Sequence, residues 1–291
     1  MQKNYLVDKK QKELDVLKKI FPNAQIKNFE SPDFIIENTI GVEITSFYHS
    51  QVSAILHNSK TFFEEGRKAR KYKKDEYNKE ISSWVTIKVH DEKTDFVSKT
   101  LPMPFIRNHP ERIKQIIIGK NKIKYQSNLE KLYLIIEDKE DLFFFQDTQE
   151  QFPQIILRNS CQEVLESKFD KIFFISPSLP DYEYFEIKKS IFYTLCRVFE
   201  KYYLNYFKIK DLNWYAIILN FKNYCSYYGL KNFKFSHNNN LIIFKDYSYK
   251  LFNSFNIDYI NKDVENILIT QEFIEYAYKN CRNLKNIDNF R

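Results

Sequence analysis

Two short runs of β-favouring residues flank the segment 37–39, whose Glu-Asn-Thr sequence predicts a turn. A three-residue loop at this point pairs Phe34 with Val42 in an antiparallel hairpin and places Asp33 opposite Glu43. Side chains two residues apart share one face of a strand, so the loop length decides which residues face each other. A loop of two residues would send the two acids to opposite faces. The pattern predicts a hairpin with carboxylates on one face and apolar side chains on the other.

The polar face of this hairpin also carries Thr45, two residues after Glu43. Gly41 has no side chain, so we expect it to leave space above the carboxylates. Two carboxylates that face the same space can bind one divalent cation, which is the minimal apparatus for metal-assisted phosphodiester hydrolysis. The alternative interpretation is an ordinary hairpin that exposes two acids to solvent.

Pro32-Asp33, followed by Glu43-Ile44-Thr45, resembles the signature of the PD-(D/E)xK nuclease superfamily, which includes many restriction endonucleases and repair nucleases. The resemblance implies a restriction-endonuclease-like α/β fold, in which helices flank a mixed central sheet. It also implies cleavage of DNA with Mg²⁺, or alternatively Mn²⁺, as the cofactor. Asp33, Glu43 and the backbone carbonyl of Ile44 would then be the metal ligands. The family usually has a lysine two residues after the second acid, and Thr45 occupies that position here.

The threonine hydroxyl can orient a water molecule, but it cannot supply the charge of a lysine. Lys120, Lys122 and Lys124 lie on a helix predicted over residues 110–125 and are candidate substitutes. Lys120 is the first choice because it continues an apolar stripe of isoleucines, which we expect to face the sheet. A solvated helix face is the alternative interpretation of all three lysines.

Two further features are candidates for contacts with metal or nucleic acid. Glu13 lies on the predicted first helix, and acids of the first helix are often metal ligands in the family that the chain resembles. A surface glutamate is the alternative. The densest basic cluster is predicted to contact a phosphate backbone, or else to pair with the acids that flank it. Its six cations are Arg67, Lys68, Arg70, Lys71, Lys73 and Lys74.

Composition excludes some classes of protein and leaves others open. The net charge of +7 is compatible with nucleic-acid binding. The sequence contains no G-x-S-x-G, P-loop or G-x-G-x-x-G motif, so hydrolase-triad, NTPase and dinucleotide-binding interpretations lack support. Its four cysteines form no C-x-x-C pair. No secretory leader or membrane-spanning run is predicted, which favours a cytoplasmic protein with reduced thiols.

Hydrophobic periodicity predicts an α/β order of elements in the first part of the chain. Helices are predicted at 8–21, 51–79, 110–125 and 159–167, and strands at 25–29, in the hairpin, and at 84–89, 131–137 and 171–176, with an irregular loop at 91–108. Later helices are predicted at 183–207, 212–228 and 270–283, with a hairpin at 231–244. We therefore predict a nuclease-like core over 1–178 and a mainly helical C-terminal region with a small hairpin over 179–291.

The leading hypothesis from the sequence is a Mg²⁺-dependent DNA endonuclease of the PD-(D/E)xK type, acting in restriction or phage defence. RNA is the alternative substrate, and a homodimer or a partner protein is an open question. The competing hypothesis is a catalytically degenerate nuclease fold that binds nucleic acid or another protein, with Thr45 as the mark of lost catalysis.

Overall fold

A computed structural model describes residues 2–47, 81–91, 94–104, 109–125, 128–138, 148–176, 184–208, 212–236, 239–259 and 269–281. Their fold is mixed α/β. The helices are α1 (Gln2–Ile20), α2 (His109–Asn121), α3 (Thr148–Arg158), α4 (Gln162–Leu165), α5 (Ile187–Phe207), α6 (Trp214–Tyr227) and α7 (Gln271–Asn280). The strands are β1 (Ile26–Asn28), β2 (Phe34–Ile36), β3 (Ile40–Phe47), β4 (Ile81–Asp91), β5 (Thr94–Pro104), β6 (Lys131–Asp138), β7 (Lys171–Ile175), β8 (Tyr184–Glu186), β9 (Leu212–Asn213), β10 (Lys234–Ser236), β11 (Leu241–Phe244), β12 (Tyr247–Lys250) and β13 (Ile257–Asp258).

The largest sheet has six strands in the order β1-β2-β3-β6-β7-β8. The first three form an antiparallel meander, β3, β6 and β7 run parallel, and β8 returns antiparallel at the edge. In the β2–β3 hairpin Phe34 pairs with Val42, which is the register predicted for a three-residue loop. Glu37 and Asn38 both adopt positive φ in this turn. Asp33 directly precedes β2 and Glu43 lies within β3. In this register their side chains belong to one face of the sheet.

Apolar side chains cover both faces of this sheet. On one face, Leu17 and Ile20 of α1 pack on a cluster that contains Phe34 and Val42. On the opposite face, a larger cluster includes Ile117 of α2 together with apolar residues of β6, β7 and the helices that follow. The carboxylates and α2 thus belong to the same side of the sheet.

The sheet and the larger core both continue past residue 178. Strand β8 pairs with β7, and α5 begins directly after it. Glu186 caps α5 by accepting hydrogen bonds from the backbone N–H groups of Lys188 and Lys189. The Glu186 carboxylate also accepts hydrogen bonds from the Ile172 amide, 3.0 Å, and the Tyr247 hydroxyl, 2.8 Å. This buried acid joins the sheet to the C-terminal elements, and the division of the chain into 1–178 and 179–291 stays a prediction.

Several elements differ from the prediction. Residues 94–104 were predicted as loop, but they form β5, a partner of β4 in a two-stranded sheet. Among the described residues each of these two strands is paired along one edge only, and proline, which has no N–H to donate, is tolerated at such an edge. Helix α3 was not predicted at all, because Pro153 inside it resembles a helix breaker. Strand β8 occupies the start of a predicted helix, and β12 adds a third strand to the predicted hairpin.

The helix predicted at 51–79 lies outside the described residues. Among the residues that the structure does describe, no helix has the length and apolar character needed to cross a membrane.

Candidate active site

Asp33 and Glu43 meet at the open end of the β2–β3 hairpin. One carboxylate oxygen of Asp33, Oδ2, accepts a hydrogen bond of 2.9 Å from the backbone N–H of Ile44. The backbone just before β2 is held by a 2.9 Å bond from the Phe29 N–H to the Asp33 carbonyl. Lys10 of α1 adds a donor to the Phe29 carbonyl at 2.7 Å. These contacts fix the Asp33 carboxylate against β3, at the backbone of the residue that follows Glu43.

Lys120 reaches Glu43 from the last turn of α2. Its ammonium Nζ lies 2.6 Å from Glu43 Oε1, a contact between residues 77 positions apart in the chain. The lysine side chain is 25 % exposed and the glutamate side chain 10 % exposed, so solvent screens this pair less than a surface ion pair. The structure therefore places a lysine amine on the second acid of the motif, although the motif itself has Thr45.

The pKa of the Glu43 carboxyl is raised above the usual value for glutamate. Burial is the largest cause, and the negative charges of Asp33 and Glu13 act in the same direction. Lys120 opposes them through its hydrogen bond and its charge, but it does not cancel them. Burial therefore accounts for the raised pKa of Glu43, which lies near two other acids and is paired with one lysine. A divalent cation binds the ionised form of a carboxylate and would oppose the effect of burial on this group.

Two residues that the sequence did not single out also belong to this neighbourhood. Tyr125 follows α2, and its hydroxyl is buried with no hydrogen-bond partner among the described residues. Its pKa is raised by burial and by the charges of Glu43 and Asp33. The negative charge of Glu43 also acts on Lys168, whose ammonium lies 4.4 Å from the centre of the Tyr125 ring. The only available signal was the position of Tyr125 on the helix predicted to carry Lys120.

Gly41 does not leave open space above the carboxylates, contrary to the prediction. A Cβ atom at this position would lie 2.6 Å from Leu129 Cδ1 and 2.7 Å from Pro32 Cγ. Leu132 Cδ1 would lie at 3.1 Å. The missing side chain is instead used for close packing, because these apolar groups lie directly on the backbone of β3.

The other predicted site residues fall into four groups. Thr45 is half-buried on β3, two residues from Glu43. Glu13 of α1 is buried, with 5 % of its surface exposed, and its charge acts on Glu43. Lys122 and Lys124 are exposed, and neither forms a hydrogen bond or an ion pair with the carboxylate of Asp33 or Glu43. The basic cluster at 67–74 lies outside the described residues.

The carboxylates of Asp33 and Glu43 are the candidate ligands for a divalent cation. Within the described ranges, no group of three or more His, Cys, Asp and Glu side chains is arranged to hold a metal ion. Mg²⁺ commonly uses only one or two protein carboxylates and keeps several waters. Asp33 and Glu43 each engage one carboxylate oxygen in the described hydrogen bonds, through Oδ2 and Oε1 respectively. The carboxylate oxygens outside these two hydrogen bonds fit a hard cation of this type.

Comparison of the chain with protein-family models, with curated proteins and with solved structures finds no match.

Proposed function

We propose that this protein is a Mg²⁺-dependent nuclease of the PD-(D/E)xK type that hydrolyses phosphodiester bonds in DNA. The observation that carries the proposal is the 2.6 Å contact between Lys120 Nζ and Glu43 Oε1. Through this contact Lys120 of α2 supplies an ammonium group, which the threonine at position 45 lacks. The mixed sheet, with its antiparallel meander followed by parallel strands, agrees with the restriction-endonuclease-like fold that the sequence resembles.

Each side chain has a role that follows from its position. The carboxylates of Asp33 and Glu43 would hold the cation, with the Ile44 carbonyl as a further oxygen ligand. Glu13 adds negative charge nearby, which favours a cation over an anion at this point. Lys120 keeps Glu43 oriented and presents a donor where negative charge develops on the phosphate oxygens.

A bound Mg²⁺ would lower the pKa of the attacking water and offset the negative charge of the phosphate. The chain itself contributes orientation, because the Ile44 amide and Lys120 fix one oxygen of each carboxylate. Tyr125 keeps its proton since its pKa is raised, and its hydroxyl is therefore a hydrogen-bond donor beside the acids. Thr45 remains available to orient water.

The test is incubation of purified protein with supercoiled plasmid and Mg²⁺, followed by analysis of nicked and linear products. We expect the wild-type protein to cut, and Asp33→Asn and Glu43→Gln to reduce the cleavage rate by at least about 100-fold. Asp246→Asn is the matched control, because Asp246 is an exposed aspartate in the turn between β11 and β12. Equal cutting by wild type and by both site variants would remove these residues from the mechanism. Binding of DNA without cleavage under any divalent cation would favour the degenerate nuclease fold.

A further inference from the structure

A basic cavity lies next to the carboxylates, and its lysines take no part in the chemistry described above. Its volume is about 550 Å³, within the range of small-ligand pockets. Four lysines line it, and we call it the lysine pocket: Lys122 and Lys124 after α2, Lys131 at the start of β6, and Lys168 before β7. Two acids, Glu130 and Asp170, also line it, so the balance of charge is positive.

The pocket and the candidate active site share one face of the sheet. Leu129 and Leu132 line the pocket and are the groups that a Cβ atom on Gly41 would meet. Gly41 precedes Glu43 by two residues on β3 and therefore lies on the same face. Residues 121–125 line the pocket and follow Lys120 directly in the chain. This part of the pocket wall is therefore adjacent in sequence to the lysine that contacts Glu43.

Local contacts hold this wall in place. The Lys168 amide donates to Asn121 Oδ1 at 2.9 Å, and the Lys168 ammonium donates to the Ile123 carbonyl. The Tyr125 ring packs edge-on against Phe169, with 6.0 Å between ring centres. One of the two acids that line the pocket already has a hydrogen-bond partner, because Asp170 Oδ2 accepts a 2.8 Å hydrogen bond from the Leu132 amide. Lys122, Lys124 and Lys131 of the pocket lining are exposed to solvent.

We propose that the lysine pocket binds backbone phosphates of the DNA strand adjacent to the bond that is cleaved. This inference rests on the proposed function, because it assumes that the scissile phosphate sits at Asp33 and Glu43. Lysines bind phosphate as point charges and carry no base specificity, so the pocket would position the strand without reading its sequence.

The test measures binding separately from cleavage. Fluorescence anisotropy of a labelled single-stranded DNA of about 12 nucleotides is recorded in EDTA over a series of salt concentrations. The pocket variant is Lys124→Gln/Lys131→Gln, and the control is Lys222→Gln/Lys250→Gln, which removes two equally exposed charges from α6 and β12. We expect the slope of log affinity against log salt to become shallower by about 0.7 for each pocket lysine removed. The control variant and a charge-retaining Lys124→Arg/Lys131→Arg variant should keep the wild-type slope.

Equal slopes for the pocket variant and the control would overturn the proposal, and so would failure of the wild-type protein to bind the oligonucleotide. Plasmid cleavage by the same preparations distinguishes the two ideas. Cleavage by wild type together with unaltered binding by the pocket variant contradicts the pocket alone. Absence of cleavage, together with weakened binding by the pocket variant, contradicts the nuclease assignment and leaves the phosphate site in place.

Discussion

At the scale of single residues, Lys120 can be tested independently of the two acids. Lys120→Met removes the ammonium from Glu43, and we expect cleavage to fall by about 100-fold or more, as for loss of one charge-stabilising donor. The same change should raise the pKa of Glu43 further, because the hydrogen bond and charge of Lys120 lower it in the wild-type protein. Carbon-13 NMR titration of labelled glutamate side chains in protein without metal measures this shift.

The control for Lys120→Met is Lys114→Met on the same helix. Lys114 forms a 4.0 Å ion pair with the exposed Glu111 and is not among the groups that act on Glu43, so its loss should change neither cleavage nor the titration of Glu43. An unchanged Glu43 titration in Lys120→Met would show that the contact does not persist in solution.

Metal binding should depend on pH through Glu43. Because the folded pKa of this group is raised, its contribution to stability without metal is largest below its unfolded pKa of about 4.5. That contribution is lost as the pH rises through the folded pKa. A cation binds the ionised form, so Mg²⁺ should raise the midpoint of thermal unfolding by a few degrees at neutral pH and by less at about pH 5.

Thermal unfolding with and without Mg²⁺ at the two pH values measures this effect, and Asp33→Asn should abolish it. A rise in midpoint that is equal at both pH values, or that survives Asp33→Asn, would place the cation elsewhere.

The residues of the site differ in how far the sequence could reveal them. Asp33 and Glu43 follow from the period of a strand and the length of one turn, and Lys120 follows from the apolar stripe of α2. Lys168 and Tyr125 could not be found in this way, since their closeness to Glu43 depends on how α2 and the segment before β7 pack together. Gly41 was predicted to leave space, because an absent side chain does not indicate what fills its place.

At the scale of elements, the close packing on β3 predicts opposite outcomes for two glycine-to-alanine substitutions. Gly41→Ala forces Pro32 and Leu129 to move, and we expect it to lower the free energy of unfolding by about 1–3 kcal/mol. Gly119 lies in α2, and among the described residues an added Cβ would meet nothing within 4 Å beyond its chain neighbours and its own helix backbone. Gly119→Ala should therefore raise that free energy by about 0.5–1 kcal/mol.

Urea unfolding of the two variants gives both values. A Gly41→Ala protein as stable as the wild type would mean that the segment before β2 shifts without cost.

The elements that the sequence predicted poorly are those whose local signals conflict with their partners in space. The 183–207 segment has continuous helical periodicity, yet its first residues pair with β7. Glu186 is an uncommon N-cap residue, so the true start of α5 left no usual signal. The turn before β12 has Lys245 at positive φ, a conformation for which glycine or asparagine would be the usual indication. In contrast, the buried runs of β6 and β7 were predicted closely, because apolar runs of strand length have few alternatives.

At the scale of the whole molecule, the larger core contains residues from both predicted regions of the chain. Phe174 of β7 is fully buried and packs on Phe185 of β8, with 5.4 Å between ring centres. Trp214 of α6 belongs to the same buried cluster. Because one cluster includes both sides of residue 178, we expect the sheet and the C-terminal helices to unfold together.

Phe174→Ala should therefore lower the free energy of unfolding by about 3–5 kcal/mol, and Trp214 should report the whole loss. In a Trp84→Phe background, fluorescence follows Trp214 alone while far-UV circular dichroism follows the entire backbone. The two urea transitions should coincide before and after Phe174→Ala, and Phe255→Ala, at an exposed ring, should leave both nearly unchanged. If Phe174→Ala shifted only the circular dichroism transition, residues 179–291 would be an independent domain, and the predicted boundary near 178 would also be a boundary of folding.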